Sequence, residues 1–240
     1  STFKAFMWSQ ATALGLADPG EPVDTEGGHW RTPYGRGVED VVRRGVQSWA
    51  EVVMNSSNIG MVKITRRMSE KQMHDAVVRF GFGKRTGLGL PGESPGLVTP
   101  LRQWTKYTHT SVAMGYEVAV TPVQMVRAFS AFARTGELAG TVVEPRLVAA
   151  EPGEEAGSGA RRVLPAAVAE LTRGTMCSVG HNMDEKLYRT HKDEPAPRYE
   201  LFGKSGTAKI PLGRPPKGTK RTRGERGDFG TFAWPFERPR

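Results

Sequence analysis

The sequence predicts an α+β fold in which helices pack on an antiparallel sheet. Apolar residues recur at helical spacing in several segments between residues 3 and 176. A strand and its antiparallel hairpin partner follow near the C-terminal end. The 240 residues, 38% of them hydrophobic and 25% charged, suffice for one sizeable globular domain or two small ones. No apolar run is long enough to span a bilayer.

The helices are predicted mainly from apolar periodicity. Residues 3–14 should form an amphipathic helix in which Ser1 and Lys4 lie one turn apart on the same face. Thr121 and Pro122 suit the start of another helix, with a hydroxyl at the N-cap and proline at the first position. The apolar face of that helix, predicted to lie in the core, is Val123, Met125, Val126, Phe129 and Phe132. The remaining predicted helices cover residues 38–42, 49–53, 59–68, 71–80 and 164–176.

Connections and strands complete the predicted domain. Glycine, proline and polar residues predict loops at residues 17–33, 87–96 and 151–161. Residues 202–210 predict a strand, and residues 227–234 are its expected hairpin partner. We therefore treat residues 1–240 as one domain. A sheet reduced to this hairpin would be marginally stable by itself, so the sheet is expected to be incomplete in this chain.

The net charge of +9 is concentrated near the C-terminal end. Residues 204–240 contain ten Lys or Arg and three Asp or Glu, which gives +7. Most of these cations lie in residues 214–226, inside the predicted hairpin. A basic run can bind nucleic acid or an anionic polymer, but this one contains no aromatic residue for base stacking. Its proline and glycine content favours a solvated basic loop.

Three short motifs occur once each and in a fixed order: Ser1-Thr2-Phe3-Lys4, Ser56-Ser57-Asn58 and Lys204-Ser205-Gly206. Each alone has an ordinary explanation, namely a helix cap with a solvated lysine, a turn, and a strand entry with a glycine bulge. Their ordered conjunction is typical of serine acyl-transfer enzymes that react with penicillin. The motifs therefore predict the candidate site.

The first motif supplies a nucleophile and a base. A serine hydroxyl is a poor nucleophile without a nearby base, and Lys4 can serve Ser1 only if its amine is neutral. Apolar neighbours in the sequence would remove water from Lys4, and Lys204 would add a like charge. Both effects lower the pKa of Lys4. The start of a helix also favours negative charge developing beside Ser1.

The other two motifs supply proton transfer and substrate binding. Ser56 can relay a proton to a leaving amine, and Asn58 can hold an amide. Lys204 can bind a substrate carboxylate. Backbone N–H groups of Ser1 and Thr207 can form an oxyanion hole.

Longer segments extend the pattern beyond the three motifs. They are the glycine-rich connector of residues 80–96, Ser111-Val-Ala-Met-Gly115-Tyr, Val120-Thr121-Pro122-Val-Gln124, and Lys204-Ser-Gly-Thr207-Ala, which has Ser where Thr is commoner. In these segments, and in order along nearly the whole chain, the sequence resembles the transpeptidase domain of class B penicillin-binding proteins. It is more similar to the septal, cell-division branch than to the elongation branch.

The resemblance implies a penicillin-binding/β-lactamase-like transpeptidase fold and a peptidoglycan D,D-transpeptidase. Ser1 would attack the D-Ala–D-Ala end of a stem peptide, with Lys4 and Ser56 as the other catalytic residues. Substrate would be bound by Asn58, Lys204, Ser205, Gly206 and Thr207. β-Lactams would acylate Ser1, and no cofactor or metal would be required.

The resemblance also implies the setting of the protein. The partners would be peptidoglycan stem peptides, β-lactams and other cell-division membrane proteins, and not nucleic acid. The location would be the extracytoplasmic face of the bacterial cytoplasmic membrane, with an anchoring helix upstream of this chain. The family's strands before the nucleophile and its last strand and closing helix have no counterpart here. We therefore expect a fragment truncated at both ends that is inert in isolation.

Other functions remain open on the sequence alone. A serine β-lactamase uses the same motifs, but the Glu-x-x-Leu-Asn segment expected of class A enzymes is absent. A non-catalytic β-lactam sensor or scaffold would retain Ser1 and Lys4, and a nucleic-acid binder would depend on residues 214–226. Cys177, His181 and His191 cluster loosely, without the spacing of a zinc site. We treat all five histidines as structural or surface residues.

Overall fold

The computed structural model describes residues 2–147, 159–190, 199–209, 228–232 and 236–239. Ser1, most of the predicted 151–161 loop and the basic run 214–226 lie outside these ranges. The helices are α1 (Lys4–Ala13), α2 (Trp49–Met54), α3 (Asn58–Thr65), α4 (Glu70–Arg79), α5 (Lys106–Met114), α6 (Pro122–Ala133) and α7 (Ala166–Thr190). None of the described helices is both long and apolar enough to cross a membrane.

Short antiparallel strand pairs accompany the helices. In the N-terminal half, β1 (Pro22–Asp24) pairs with β4 (Val46–Ser48), and β2 (His29–Arg31) with β3 (Gly37–Glu39). Next, β5 (Leu97–Val98) pairs with β6 (Val118–Ala119), and β7 (Thr141–Val142) with β8 (Arg161–Arg162). Near the C-terminal end, β9 (Tyr199–Phe202) pairs with β12 (Phe236–Pro239), and β10 (Gly206–Lys209) with β11 (Asp228–Phe232).

Helix α1 is the centre of the core rather than an amphipathic surface helix. Every residue from Lys4 to Ala11 is buried, because α2, α3, α4, α5 and α7 all pack around it. The prediction of its extent is confirmed, but the prediction of one apolar face is wrong. The Phe6 ring lies 4.8–5.7 Å, centroid to centroid, from the rings of five other phenylalanines. These are Phe3, Phe80, Phe82, Phe129 and Phe132.

Local capping explains where the confirmed helices begin. Ser48, Ser69 and Thr121 each accept a hydrogen bond from the backbone three residues later. Each also receives a reciprocal bond at its own N–H from the Glu or Gln side chain at that position. These reciprocal pairs are capping boxes, and they begin α2, α4 and α6, which all match predicted helices. Helix α5, which begins with Thr105 as its N-cap, was not predicted.

The predicted helix over residues 38–42 is wrong. Residues 37–39 form β3, and the chain then turns away from regular structure. Only Val38 of the three valines is buried, whereas Val41 is 92% exposed and Val42 54% exposed. Pairing with β2 decides this segment, because it places Val38 opposite Trp30 and buries it. The predicted 17–33 loop likewise contains β1 and β2.

Helix α6 buries part of the predicted face, and the prediction is wrong for Val126. Met125, Phe129 and Phe132 lie in the core, but Val126 is 43% exposed. Gln124 is buried instead, and its side-chain amide donates hydrogen bonds to backbone oxygens of Lys84 (2.7 Å) and Pro95 (2.9 Å). This amide ties the glycine-rich connector to the helix.

The C-terminal region differs from prediction in length and continuity. Helix α7 ends at Thr190, fourteen residues beyond the predicted end. The predicted 202–210 strand is divided into β9 and β10, and its pairing with the 227–234 segment is confirmed at β11. Gly180 lets α7 lie against β9, because a Cβ atom there would come within 2.1 Å of the Leu201 backbone oxygen.

Candidate active site

Lys4, in the first turn of α1, is completely buried. Its ammonium nitrogen donates hydrogen bonds to the backbone oxygen of Ser56 at 2.5 Å and to Oδ1 of Asn58 at 2.6 Å. The Ser56 hydroxyl lies 3.4 Å from the same nitrogen. These partners are 52 and 54 positions away in sequence, so the first and second motifs meet at one nitrogen atom.

The second motif forms the turn that begins α3. Ser57 is the N-cap of this helix, and its hydroxyl accepts a hydrogen bond from the Gly60 N–H at 2.9 Å. Ser56 has a φ of 60°, in the left-handed region that costs a residue other than glycine roughly 1–3 kcal/mol. In this conformation both oxygen atoms of Ser56 face the Lys4 nitrogen. One of three described non-glycine residues with this strained conformation is therefore a predicted catalytic residue; the other two are Glu26 and Glu117.

The electrostatic environment lowers the pKa of Lys4 to about 7, from an ordinary value of 10.5. Burial is the main cause, because an ammonium group without water is destabilised relative to the neutral amine. The charge of Lys204 lowers the pKa further, and the carboxylate of Asp40 raises it. The sequence predicted both lowering effects. A lysine with this pKa has a substantial neutral fraction near pH 7 and can accept a proton.

Lys204 of the third motif lies between β9 and β10, not on a strand as the sequence predicted. The break has a local cause: the Gly203 N–H donates to the Met176 oxygen of α7 at 3.4 Å and not to a neighbouring strand. Lys204 is 1% exposed, and its ammonium donates to the Ser205 backbone oxygen at 2.8 Å. Burial lowers its pKa to about 8.

The structure brings together four of the predicted site residues. Lys4, Ser56 and Asn58 are in direct contact, and Lys204 is near enough for its charge to act on Lys4. Ser205 and Gly206 follow directly, with Gly206 opening β10. The predicted nucleophile lies outside the described residues. Thr207 is described in its backbone pairing with Thr231, so the oxyanion hole stays a prediction.

The sequence analysis missed one residue of the site, Asp40. Its carboxylate accepts hydrogen bonds from the Ser57 hydroxyl at 2.6 Å and from the Ile59 N–H at 3.0 Å. An acidic residue is favourable at a helix N-terminus, but this one is supplied from 17 to 19 positions upstream. Its place in an incorrectly predicted helix left no sequence signal for the contact.

Comparison with known families identifies the arrangement. A family model described as the penicillin binding protein transpeptidase domain matches residues 1–233. The chain belongs to the penicillin-binding protein transpeptidase family. The resemblance to class B penicillin-binding proteins is thereby confirmed, and with it the α+β transpeptidase fold.

Individual relatives of this transpeptidase domain agree with the family match. It is 32% identical over 214 residues to the probable peptidoglycan D,D-transpeptidase PbpC of Pseudomonas aeruginosa, covering 89% of this chain and 35% of that protein. It is 32% identical over 204 residues to penicillin-binding protein PbpB of Mycobacterium tuberculosis, covering 81% and 29%. The chain therefore spans about a third of the length of these curated relatives.

A solved structure gives the same result for the fold. The apo structure of the TP domain from Burkholderia pseudomallei penicillin-binding protein 3 superposes on this transpeptidase domain with a TM-score of 0.76 and 26% sequence identity. The match covers 89% of this chain and 61% of that one.

Three histidines have side chains that the structure describes, and their contacts are with residues other than Lys4, Ser56 and Asn58. His109 is buried, with its Nε2 atom 3.1 Å from the Met68 oxygen, and burial lowers its pKa. His74 packs edge-on against Trp104, and His29 lies 3.8 Å from the exposed carboxylate of Glu39. Among the described residues, no group of three His, Cys, Asp or Glu side chains could hold a metal ion.

Proposed function

We propose that this chain is the catalytic domain of a peptidoglycan D,D-transpeptidase that works through an acyl-serine intermediate and is inhibited by β-lactams. The proposal is carried by one observation: a completely buried lysine with a pKa of about 7, held by Ser56 and Asn58. The family match and the names of the relatives support it.

Acylation is the first half of the proposed reaction. The Ser1 oxygen attacks the carbonyl carbon between the two D-alanines, and its proton passes to the neutral amine of Lys4. The resulting tetrahedral intermediate carries its negative oxygen toward the N–H groups of Ser1 and Thr207. The C–N bond then breaks, and the terminal D-alanine leaves as its amine takes a proton from Lys4 through the Ser56 hydroxyl.

Deacylation by an amine completes the reaction. An amino group of a neighbouring stem peptide attacks the ester, loses a proton to Lys4, and expels the Ser1 oxygen. That oxygen recovers a proton, and a new amide bond links two stems. Until the terminal D-alanine leaves, protonated Lys204 holds the terminal carboxylate of the donor with Ser205 and Thr207, while Asn58 holds an amide of the stem. The different hydrogen-bond partners of the two lysines support these roles.

Penicillin labelling followed by peptide mapping tests the proposal. The full-length protein that contains this domain should form one covalent penicilloyl adduct, located on Ser1 and absent from the Ser1→Ala variant. With a D-Ala–D-Ala peptide and an acceptor amine, the protein should release D-alanine and form a cross-linked product.

Three results would contradict the proposal in different ways. An adduct on another residue would remove Ser1 from its role. Many rapid turnovers of nitrocefin would indicate a β-lactamase, whereas slow and near-stoichiometric release supports the transpeptidase. An adduct on Ser1 without amine-dependent transfer would indicate a sensor or scaffold.

We also propose where the protein acts. As a septal class B enzyme it would work on the extracytoplasmic face of the bacterial cytoplasmic membrane, anchored by a helix upstream of this chain and assembled with other cell-division membrane proteins. The resemblance of the segments around the three motifs to the septal branch of class B enzymes supports this assignment. A fluorescent fusion that spreads over the side wall instead of the division site would contradict it.

A further inference from the structure

Asp40 lies at the centre of a set of hydrogen bonds around the second motif. Its carboxylate accepts from the Ser57 hydroxyl and from two consecutive backbone N–H groups, those of Asn58 and Ile59. The preceding residue contributes as well, because the Glu39 backbone oxygen accepts from the Asn58 side-chain amide at 2.7 Å. Residues 39–40 are thus bonded to the start of α3 at four points.

Asp40 is itself held in place. Its own N–H donates to the Gly28 oxygen at 3.1 Å, which anchors it at the end of β3. Beyond it the chain is exposed, as at Val41. Asp40 therefore connects the β2–β3 hairpin to the turn of the second motif and does not follow the exposed segment into solvent.

The turn that Asp40 holds is the one that needs support. Ser56 occupies a left-handed backbone conformation, and such a conformation persists only where surrounding contacts determine it. The neighbouring contacts within the chain segment are the backbone bonds from Ser56 N–H to Val53 (3.2 Å) and from Ser57 N–H to Val52 (2.9 Å). The carboxylate of Asp40 fixes the other side, where α3 begins.

We infer that Asp40 is a positioning residue: its carboxylate fixes the turn that presents Ser56 and Asn58 to the lysine of the first motif. It touches neither Lys4 nor the predicted nucleophile through a hydrogen bond that the structure describes, so it acts through the turn and through its charge. The inference deepens the proposed function and rests on it, because Ser56 and Asn58 are catalytic and binding residues only if that function is right. The geometry of the turn does not depend on that function.

The charge of Asp40 provides a readout that a purely structural role would not affect. Two charged groups in the described structure act on Lys4: Lys204 lowers its pKa and Asp40 raises it. The cation at the far end of α3, Lys63, is occupied by Glu26 at 2.7 Å. Removing the charge of Asp40 should therefore lower the pKa of Lys4, so that the amine becomes neutral at lower pH.

The test compares Asp40→Asn and Asp40→Ala with Asp24→Asn in the full-length protein. Asp24 is a matched control, because its exposed carboxylate also accepts a backbone N–H, that of Glu26 at 2.8 Å, away from the site. One readout is the titration of Lys4 by NMR with ¹³C-labelled lysine, assigned by the signal lost in Lys4→Met. The other is the pH dependence of acylation by a fluorescent penicillin.

In Asp40→Asn the titration of Lys4 should move to lower pH by on the order of one unit, and the acylation profile should move with it. The maximal acylation rate should fall about tenfold, since Asn can keep the two backbone bonds but not the charge. Asp40→Ala should lose more of the rate, and Asp24→Asn should match the wild type in both readouts.

The outcomes separate this inference from the proposed function. If Asp40→Asn lowers only the melting temperature while Lys4 titrates as in the wild type, the positioning role is wrong. The same holds if its titration and acylation match those of Asp24→Asn. If the wild type is not acylated at all but Asp40→Asn still shifts Lys4, the proposed function fails and the positioning of the turn stands.

Discussion

Two lysines in this domain, Lys4 and Lys204, are buried to nearly the same degree but have different surroundings. Lys4 is enclosed by helices and donates to the Ser56 backbone oxygen and to Asn58, with Lys204 and Asp40 acting on it from opposite directions. Lys204 lies in the break between two strands and donates to the backbone of the next residue. Their pKa values are about 7 and about 8, and burial is the main cause for both.

The different surroundings of the two lysines assign them different tasks. The Lys4 nitrogen is bonded to Ser56 and Asn58, and the charge of Lys204 adds to the burial that lowers its pKa, so it is suited to accept a proton. Lys204 lies at the break before β10, where burial is the cause that lowers its pKa, and it is suited to hold an anion.

The largest expected effect comes from removing the proposed base. Lys4→Met keeps an unbranched side chain in the core but removes the amine. The rate of acylation by a fluorescent penicillin should fall about 10²–10⁴-fold, the range typical of a lost general base. Gel-based time courses measure this rate, and Lys71→Met, which changes an exposed lysine paired with Asp75, is the control. A loss of less than about tenfold would mean that another group takes the proton.

Lys204→Met should have a smaller effect that depends on the substrate. Losing a charged hydrogen bond to the donor carboxylate should slow acylation by about 10- to 100-fold. A donor peptide whose terminal carboxylate is converted to an amide should acylate the variant about as fast as it acylates the wild type. The variant should therefore no longer prefer the acid donor over the amide donor. The variant should also raise the pKa of Lys4, since a repelling charge is gone. An unchanged preference for the acid would assign carboxylate binding elsewhere.

A third effect is expected on the pH dependence of stability. Both lysines have folded-state pKa values below the ordinary 10.5. At pH values between the folded-state pKa of each lysine and 10.5, the unfolded chain therefore binds more protons than the folded protein. Unfolding free energy should rise as the pH rises from about 7 toward 10.5, and this gain is lost as the pH falls. Each lysine should contribute on the order of 1 kcal/mol per pH unit within its window.

Urea unfolding between pH 7 and 10 measures this slope. The unfolding free energy of Lys4→Met should rise less steeply with pH than that of the wild type, by the slope that one proton contributes. The variant should also be more stable at pH 7, because it carries no buried charge. Equal slopes in the two proteins would show that Lys4 titrates alike in the folded and unfolded states.

The parts of the fold that could be predicted from sequence are those decided locally. The capping box of Thr121 and Gln124 depends on two residues three positions apart, and the start of α6 was predicted correctly. The 38–42 segment was not predictable in the same way, because pairing with β2 overrides its apolar pattern. The strand across residues 202–210 was divided by a contact of Gly203 with α7.

The candidate site shows the same division. The lowering of the Lys4 pKa was predictable, since its causes are apolar neighbours in its own helix and a lysine in a recognised motif. Asp40 was not predictable, because its contacts with Ser57 and Ile59 follow from how a hairpin lies against α3. Motif spacing reports the groups that react and not the groups that hold them.

The central claim is that neutral Lys4 takes the proton of Ser1, and the pH dependence of Ser1 acylation measures it most directly. The rate constant for acylation of the full-length protein by a penicillin should rise with pH, with a midpoint near pH 7 where Lys4 becomes neutral, and fall again as Lys204 loses its proton near pH 8. In Lys204→Met that midpoint should lie at higher pH. A midpoint above pH 9, or a rate that does not change with pH, would contradict the claim.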